Sequence, residues 1–379
     1  MDGALADARS DIGARDVGPR DSALGPDAAC AAQSVTAEVE QLPVDIVWMV
    51  DNSVSMQPAI EQVQAGLNDF AALISARDLD FRVIMLSLRG RGEASVGGGR
   101  RFRVCIPPPL AGDTNCGDGP RFFQVEVDVR STQPLEQFLG TLGQTRGYTA
   151  SDDRGSAPWR DLLRDDATKT IVVVSDDNSR LTPDDFEHFA GGSNPFSGRE
   201  LPPGILEPRW GGLFDGYVFS AIYGWGDPGD PTVRCTYADG SRPPSSGPTY
   251  TTLVARTGGA RGQICAAPAM WAGVFDAIAT AVERRARIDC RIPIPPPPSG
   301  MIFERDRVNV LVTTEAGRER RLGKVPDAGA CGAGDGWSYD DEASPSEVVL
   351  CPATCSALQE ADSGVRRVDV QFGCQTLLI

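Results

Sequence analysis

Residues 45–56 read DIVWMVDNSVSM, an apolar run that stops at Asp51 and continues into Ser53 and Ser55. The run over 44–50 is almost continuously apolar, which is typical of a strand buried on both faces of a parallel sheet. Apolar residues at helical spacing follow the motif. Open α/β sheets bind ligands at the carboxyl ends of their strands, and oxygen ligands suit hard divalent cations. The stretch therefore predicts an α/β fold with a cation site after this strand.

A second predicted strand also ends in acidic residues. Residues 170–175 read TIVVVS and run directly into Asp176 and Asp177. Aspartate and serine are also common helix N-caps, so the first motif alone has an ordinary structural explanation. Two acidic strand ends at the same edge of a parallel sheet favour the cation site instead.

In this strand–helix setting, the Asp-x-Ser-x-Ser at 51–55 resembles the metal-ion-dependent adhesion site (MIDAS) of the von Willebrand factor type A (vWA) domain. Later elements follow in a similar order, with a helix stopped by Thr-Gly-Gly at 257–259, a short strand near 263–265 and a final helix. The resemblance covers about residues 44–288. It implies a doubly wound, mostly parallel sheet with helices on its faces.

The resemblance also implies the metal ligands: Asp51, Ser53, Ser55, Thr149 and Asp176. The serines and a loop threonine would coordinate Mg²⁺ through hydroxyls, and the aspartates would hold it mainly through bound water. Thr149 is the predicted loop ligand and Ser151 is the alternative. Vertebrate adhesive domains of this family usually carry Gly-Thr there, whereas this chain has Tyr148-Thr149; an ordinary polar loop is the other interpretation. Mn²⁺ or Ca²⁺ are alternatives to Mg²⁺.

Composition limits the classes of function. The chain has 379 residues and a formal net charge of −16, which argues against nucleic acid and anionic membranes as partners. No stretch reaches the ~18 apolar residues of a membrane helix. Residues 2–30 lack the apolar core of a signal peptide, so we expect no export signal in this chain and a disordered acidic tether over 1–36.

Ten cysteines and a single histidine favour disulfides over a structural zinc site, and hence an extracytoplasmic protein that is secreted, periplasmic or on the cell surface. Loop positions predict the pairs Cys105–Cys116 and Cys235–Cys265. The other six cysteines allow fifteen pairings. Because the two ends of a vWA domain lie close together, the resemblance suggests Cys30–Cys290.

Three further segments follow the tether. We predict a vWA domain over 37–290, a stiff proline-rich linker over 291–300 and a small disulfide-stapled β domain over 301–379. The long insertions 89–120 and 226–247, together with a third over 177–212, each follow a predicted strand. We expect all three to cluster around the metal edge.

The sequence predicts a binding protein and not an enzyme. His188 lies beside phenylalanines on a predicted short helix, and neither a nucleophile elbow nor a phosphate-binding loop is present. The predicted function is metal-dependent adhesion, in which a protein partner contributes an exposed carboxylate. The alternatives are a phosphoesterase using Asp51, Asp176, Asp177 and a metal, or a vWA subunit of an ATP-driven machine.

Overall fold

The computed structural model describes residues 33–38, 42–148, 158–286, 290–294, 305–314, 318–332, 336–359 and 365–372. Within them the chain forms these strands: Gln33–Glu38 (β1), Val44–Val50 (β2), Phe81–Ser87 (β3), Glu93–Val96 (β4), Gly99–Phe102 (β5), Phe122–Glu126 (β6), Thr168–Val174 (β7), Gly192–Ser193 (β8), Glu200–Leu201 (β9), Val218–Tyr223 (β10), Trp225–Asp227 (β11), Asp230–Arg234 (β12), Arg261–Gln263 (β13), Arg291–Pro293 (β14), Val308–Thr314 (β15), Glu319–Leu322 (β16), Trp337–Tyr339 (β17), Glu347–Leu350 (β18) and Val365–Phe372 (β19). The α-helices are Gln57–Ser75 (α1), Pro134–Gly143 (α2), Pro183–His188 (α3), Pro248–Thr257 (α4), Trp271–Ala286 (α5) and Pro352–Gln359 (α6). No helix in the described ranges is long and apolar enough to cross a membrane.

A six-stranded sheet forms the centre of the larger unit, in the order β13-β10-β7-β2-β3-β6. Every pairing in it is parallel. The α/β prediction is therefore confirmed. In this order β2 lies between β3 and β7, so the residues that follow β2 and β7 emerge side by side at the carboxyl edge.

Helices cover both faces of this sheet. Successive residues of a strand point to opposite faces, and the apolar side chains of β2 pack against helices on each face. Trp48 of β2 packs edge-on against Phe70 of α1, with ring centroids 5.4 Å apart, and also contacts Phe275 of α5. The residues beside it, Val47 and Met49, belong to a second core that includes α2, α3 and α4. The unbroken apolar run of β2 thus serves two cores at once.

Gln124 is a polar residue of β6, the strand at one edge of the sheet. Gln124 is fully buried, and its amide donates to Ser87 Oγ and to the Val104 carbonyl, each at 3.1 Å. The insertion after β3 folds back over this side chain, so its NH₂ group bonds to protein groups and not to water, whereas its Oε1 has no hydrogen-bond partner in the described residues.

The C-terminal unit is a small β module. One antiparallel sheet has the order β1-β19-β15-β16, and a second has the order β14-β18-β17. Trp337, Val310 and Leu350 lie in their shared core. The tether was expected to extend to residue 36, but residues 33–38 form β1 and pair with β19. The chain before the α/β unit therefore contributes a strand to the module that follows it.

Four disulfides join the described cysteines. The predicted pairs Cys105–Cys116 and Cys235–Cys265 are confirmed. The suggested pair Cys30–Cys290 is wrong, because Cys290 is bonded to Cys355, and Cys331 is bonded to Cys351. Cys30 and Cys374 lie outside the described residues. The bond to Cys355 ties the end of the α/β unit to α6.

The three insertions do not all remain at the carboxyl edge. In 89–120, the Phe102 amide donates to the Asn52 carbonyl at 2.7 Å, directly beside the motif. In 177–212, however, Glu187 accepts a hydrogen bond from Tyr217, which directly precedes β10 at the amino edge. The predicted clustering is therefore wrong for this insertion, because α3 packs along the side of the sheet.

Candidate metal centre

The carboxyl edge of β2 and β7 holds the first group of site residues. The Asp51 amide donates to the Val174 carbonyl at 3.0 Å and continues the parallel pairing by one residue. Asp51 itself is fully buried. Its side chain is thus fixed at the junction of two strand ends, where the sequence predicted it.

Asn52, which was not predicted from the sequence to be a site residue, holds the surrounding loops together. Its Oδ1 accepts hydrogen bonds from the Leu88 amide at 3.0 Å and the Val129 amide at 3.2 Å. Its Nδ2 donates to the Phe102 carbonyl at 2.9 Å. The ends of three chain segments are therefore fixed relative to Asp51 by one buried amide.

Both carboxylate oxygens of Asp51 accept hydrogen bonds. Oδ1 accepts from the Ser53 amide at 2.8 Å and from the Ser53 hydroxyl at 2.7 Å. Oδ2 accepts from the Ser175 hydroxyl at 2.9 Å. Because Ser53 uses its proton toward Asp51, the lone pairs of its Oγ remain able to ligate a cation.

Ser55 lies two residues after Ser53, on the short 3₁₀ turn Val54–Met56 that leads into α1. Its hydroxyl is exposed and lies 3.4 Å from Ser53 Oγ. The alternation of the motif thus brings two hydroxyl oxygens together on the solvent side of the buried Asp51.

Asp176 completes the described set. It is almost fully buried, and in the described residues its Oδ1 has no hydrogen-bond partner. Burial raises the pKa of Asp176, an effect that a hydrogen bond from Ser55 opposes and the charge of Asp177 reinforces. A buried carboxylate oxygen without a partner is costly, which is a reason to expect a ligand there.

Asp51 is also kept from ionising easily. Burial raises its pKa to about 7, although the hydrogen bonds from Ser53 lower it, and the nearby Asp176 adds to the rise. Tyr250 of α4 is completely buried close to this pair, and burial followed by the charge of Asp51 raises its pKa well above the usual value. The site thus combines two desolvated carboxyl groups. No cationic side chain is among the groups that shift the pKa of Asp51 or Asp176.

The remaining predicted ligand is not placed. Thr149 and its alternative Ser151 lie outside the described residues. On one side of them Tyr148 packs against Gly140, and on the other Trp159 donates to Thr141 Oγ1 at 3.0 Å. Tyr148 and Trp159 thus both contact the second half of α2. The choice between the hydroxyls of Thr149 and Ser151 stays a prediction.

The donor chemistry of the described residues fits a hard divalent cation. The set consists only of hydroxyl and carboxylate oxygens, as Mg²⁺ and Ca²⁺ prefer. Within the described ranges no group of three or more His, Cys, Asp or Glu is arranged to hold a metal ion. A site here therefore depends on serine hydroxyls and not on a carboxylate cluster.

The single histidine lies elsewhere. His188 ends α3, is mostly exposed, and its Nδ1 lies 3.5 Å from Glu207. It lines a cavity between the α/β unit and the C-terminal module, together with Arg256 and Pro352. It is thus not brought to Asp51 or Asp176.

Comparison with known proteins adds no family to this geometry. No protein-family model matches the chain, and no characterised protein matches it either.

Proposed function

We propose that this chain is a vWA-type, doubly wound binding protein that holds a divalent cation, with Mg²⁺ as the first choice, at a MIDAS-like site. The observation that supports the proposal best is the placement of Asp51 and Asp176 after neighbouring parallel strands, with Asp176 Oδ1 buried and without a partner in the described residues. Ser53 and Ser55 would supply hydroxyl ligands, and Thr149 or Ser151 would supply another.

The proposed role of the site is adhesion. When bound, a cation with few direct anionic ligands supplies an electrophilic position that a carboxylate of a protein partner can fill. Ser53 keeps Asp51 oriented through two hydrogen bonds, and the exposed Ser55 leaves one side of the site open. We propose binding rather than catalysis because, among the described residues, neither a histidine nor a lysine affects the pKa of either carboxylate, as a neighbouring general base would.

The proposed location is an oxidising compartment outside the cytoplasm. Four disulfides occur within the described residues, in both the α/β unit and the C-terminal module. Disulfides persist in secreted, periplasmic and cell-surface proteins and are rare in the cytosol.

Calorimetry with Mn²⁺ and Mg²⁺ tests the cation site. We expect one site in the wild type and its loss in Asp51→Ala, because this change removes the carboxylate that orients Ser53. Asp69→Ala on the exposed face of α1 removes the same charge and should bind as the wild type does. Equal Mn²⁺ binding by Asp51→Ala and Asp69→Ala would overturn the proposal. If the wild type hydrolyses p-nitrophenyl phosphate and Asp51→Ala does not, the protein is an enzyme instead.

Variants of the loop identify the missing ligand. Thr149→Ala should weaken Mn²⁺ binding while Ser151→Ala leaves it unchanged, and the reverse result would assign Ser151.

A further inference from the structure

A groove of about 680 Å³ lies directly beside the candidate cation site, and Ser55 and Asp176 form part of its lining. A cavity of this size lies within the roughly 300–1,000 Å³ that accommodate small organic ligands. A partner carboxylate at the cation would therefore have the rest of its chain next to this groove.

Prolines and aromatic residues form part of two walls of the groove. Pro243 and Tyr237 line it from the insertion after β10, and Pro268 and Trp271 line it from the start of α5. Proline has no amide hydrogen, so these walls offer apolar surface with few donors. Met270, on the same 3₁₀ turn as Pro268, is 64% exposed and adds apolar surface at this turn. The lining is thus suited to a large apolar side chain.

The wall that carries Tyr237 is held in place before any ligand binds. The Cys235–Cys265 disulfide ties the insertion to the residues before α5. Within the insertion, the Tyr237 amide donates to Ser241 O at 2.9 Å, and Arg234 Nη1 donates to Pro243 O at 3.1 Å. A preformed wall reduces the ordering cost of binding, so this insertion is fit to select a ligand by shape.

The charges around the groove make entry of an anion dependent on the cation. Asp176 and Asp239 both line the groove, and both carboxylates, after burial, raise the pKa of Tyr237, to about 12. The exposed Arg242 is the cationic side chain of the lining. Two carboxylates against one guanidinium repel an acidic ligand, and a bound divalent cation reverses that balance.

We propose that this groove is the specificity subsite for an extended peptide segment of the partner, in which a large apolar side chain lies within two residues of the acidic residue that reaches the cation. The inference rests on the proposed function, since the cation positions the acidic residue. The cation attracts any carboxylate, whereas the groove, with its proline and aromatic walls, distinguishes among the residues beside it.

A peptide array of the form X₃-Asp-X₃, probed with the full chain in Mg²⁺, tests this inference. We expect large apolar residues to be enriched within two positions of the fixed Asp, and the signal to disappear in EDTA. Ala267→Trp fills the groove from an exposed position with extended backbone (φ −59°, ψ 150°) and should reduce binding of the enriched peptides at least tenfold. Ala277→Trp, exposed on α5 outside the groove lining, is the matched control and should bind as the wild type does.

Mn²⁺ calorimetry on the same proteins tests the cation site separately from the groove. Ala267→Trp should keep wild-type Mn²⁺ affinity, so that its loss of peptide binding is assigned to the groove. If Mn²⁺ binds but no apolar preference appears, or if Ala267→Trp selects the same peptides, the groove inference is overturned and the cation site stands. If the wild type binds no Mn²⁺, the proposed function fails and the inference fails with it.

Discussion

The Ser175 hydroxyl donates a hydrogen bond of 2.9 Å to Oδ2 of Asp51 and thereby joins the ends of two neighbouring parallel strands. The same hydroxyl lies 3.2 Å from the Ser131 carbonyl, in the loop before α2. Ser175 therefore fixes the carboxylate so that Oδ1 faces Ser53. It is a positioning residue, because it acts on the proposed ligands through Asp51.

The first prediction concerns this hydrogen bond. Groups that orient a metal ligand typically contribute about 10–100-fold to metal affinity, so we expect Ser175→Ala to weaken Mn²⁺ binding about tenfold by calorimetry. Ser220→Ala is the control, because Ser220 is a buried strand serine whose Oγ accepts from the Ala260 amide. Equal Mn²⁺ affinities for the two variants would show that Ser175 has no positioning role.

The second prediction concerns the cost of the buried carboxylate. Burial raises the pKa of Asp51 to about 7, so its ionised form is disfavoured when no cation is bound. We expect Asp51→Asn to raise the Tm of the chelated protein at pH 8 by at least ~2 °C and to remove the Tm increase that Mg²⁺ gives the wild type. Asp69→Asn, on the exposed face of α1, should change neither quantity. A lower Tm for chelated Asp51→Asn would contradict the argument.

Strands buried on both faces could be predicted from the sequence because each is an unbroken apolar run. The runs that begin at Val44, Phe81 and Thr170 all coincide with central strands, and the order of the later elements followed the predicted one. The first acidic turn was equally visible, since Asp51, Ser53 and Ser55 are local in sequence. Local patterns of this kind report which faces of an element are buried.

Pairings between distant segments could not be predicted in the same way. Strand β1 pairs with β19 from the far end of the chain, and Cys290 bonds to a cysteine 65 residues later; no local pattern encodes either choice. Asn52 and Ser175 were missed for the same reason, because their partners lie in other loops. The one available signal was their position, since each is a polar residue next to an acidic one at the end of a buried strand.

The third prediction concerns the disulfide framework. Peptide mapping of unreduced protein should find Cys290 linked to Cys355 and Cys331 linked to Cys351. Thiol counting after denaturation should find at most two free thiols, because eight of the ten cysteines are paired in the described residues. A Cys30–Cys290 peptide, or ten free thiols with stoichiometric zinc, would contradict this framework and the proposed compartment.

The fourth prediction compares two carboxylates that share one arginine. Arg164 Nε donates to the fully buried Asp45 at 2.9 Å, and Arg164 Nη1 donates to the largely exposed Asp80 at 2.6 Å. Asp45→Ala leaves Arg164 its bond to Asp80 but takes the carboxylate away from the buried Lys169, so it should lower the free energy of unfolding by about 3–5 kcal/mol. Asp80→Ala should lower it by no more than about 1 kcal/mol. Urea unfolding measures both, and similar losses would show that burial does not decide the contribution.

The fifth prediction concerns Lys169, which is buried beside Asp45 at the amino edge of the sheet. Its ammonium donates to the carbonyls of Arg164 and Ala167 and lies 3.8 Å from Asp45 Oδ2. Burial nonetheless lowers the pKa of Lys169 to about 8, against the opposing effect of Asp45. Burial therefore outweighs the attraction, and the folded protein releases this proton more readily than the unfolded chain does.

The direction of the pH effect follows from the number of protons bound by each state. Between pH 8 and about 10 the unfolded chain keeps the Lys169 proton while the folded protein loses it, so the free energy of unfolding rises with pH in this window. Lys169→Met should lose this rise, on the order of 1–2 kcal/mol, because methionine does not titrate. Lys324→Met, in the C-terminal module, is the control for the loss of one lysine. Urea unfolding at intervals from pH 7 to 10 measures all three proteins, and parallel curves for the wild type and Lys169→Met would show that Lys169 keeps its proton in the folded state.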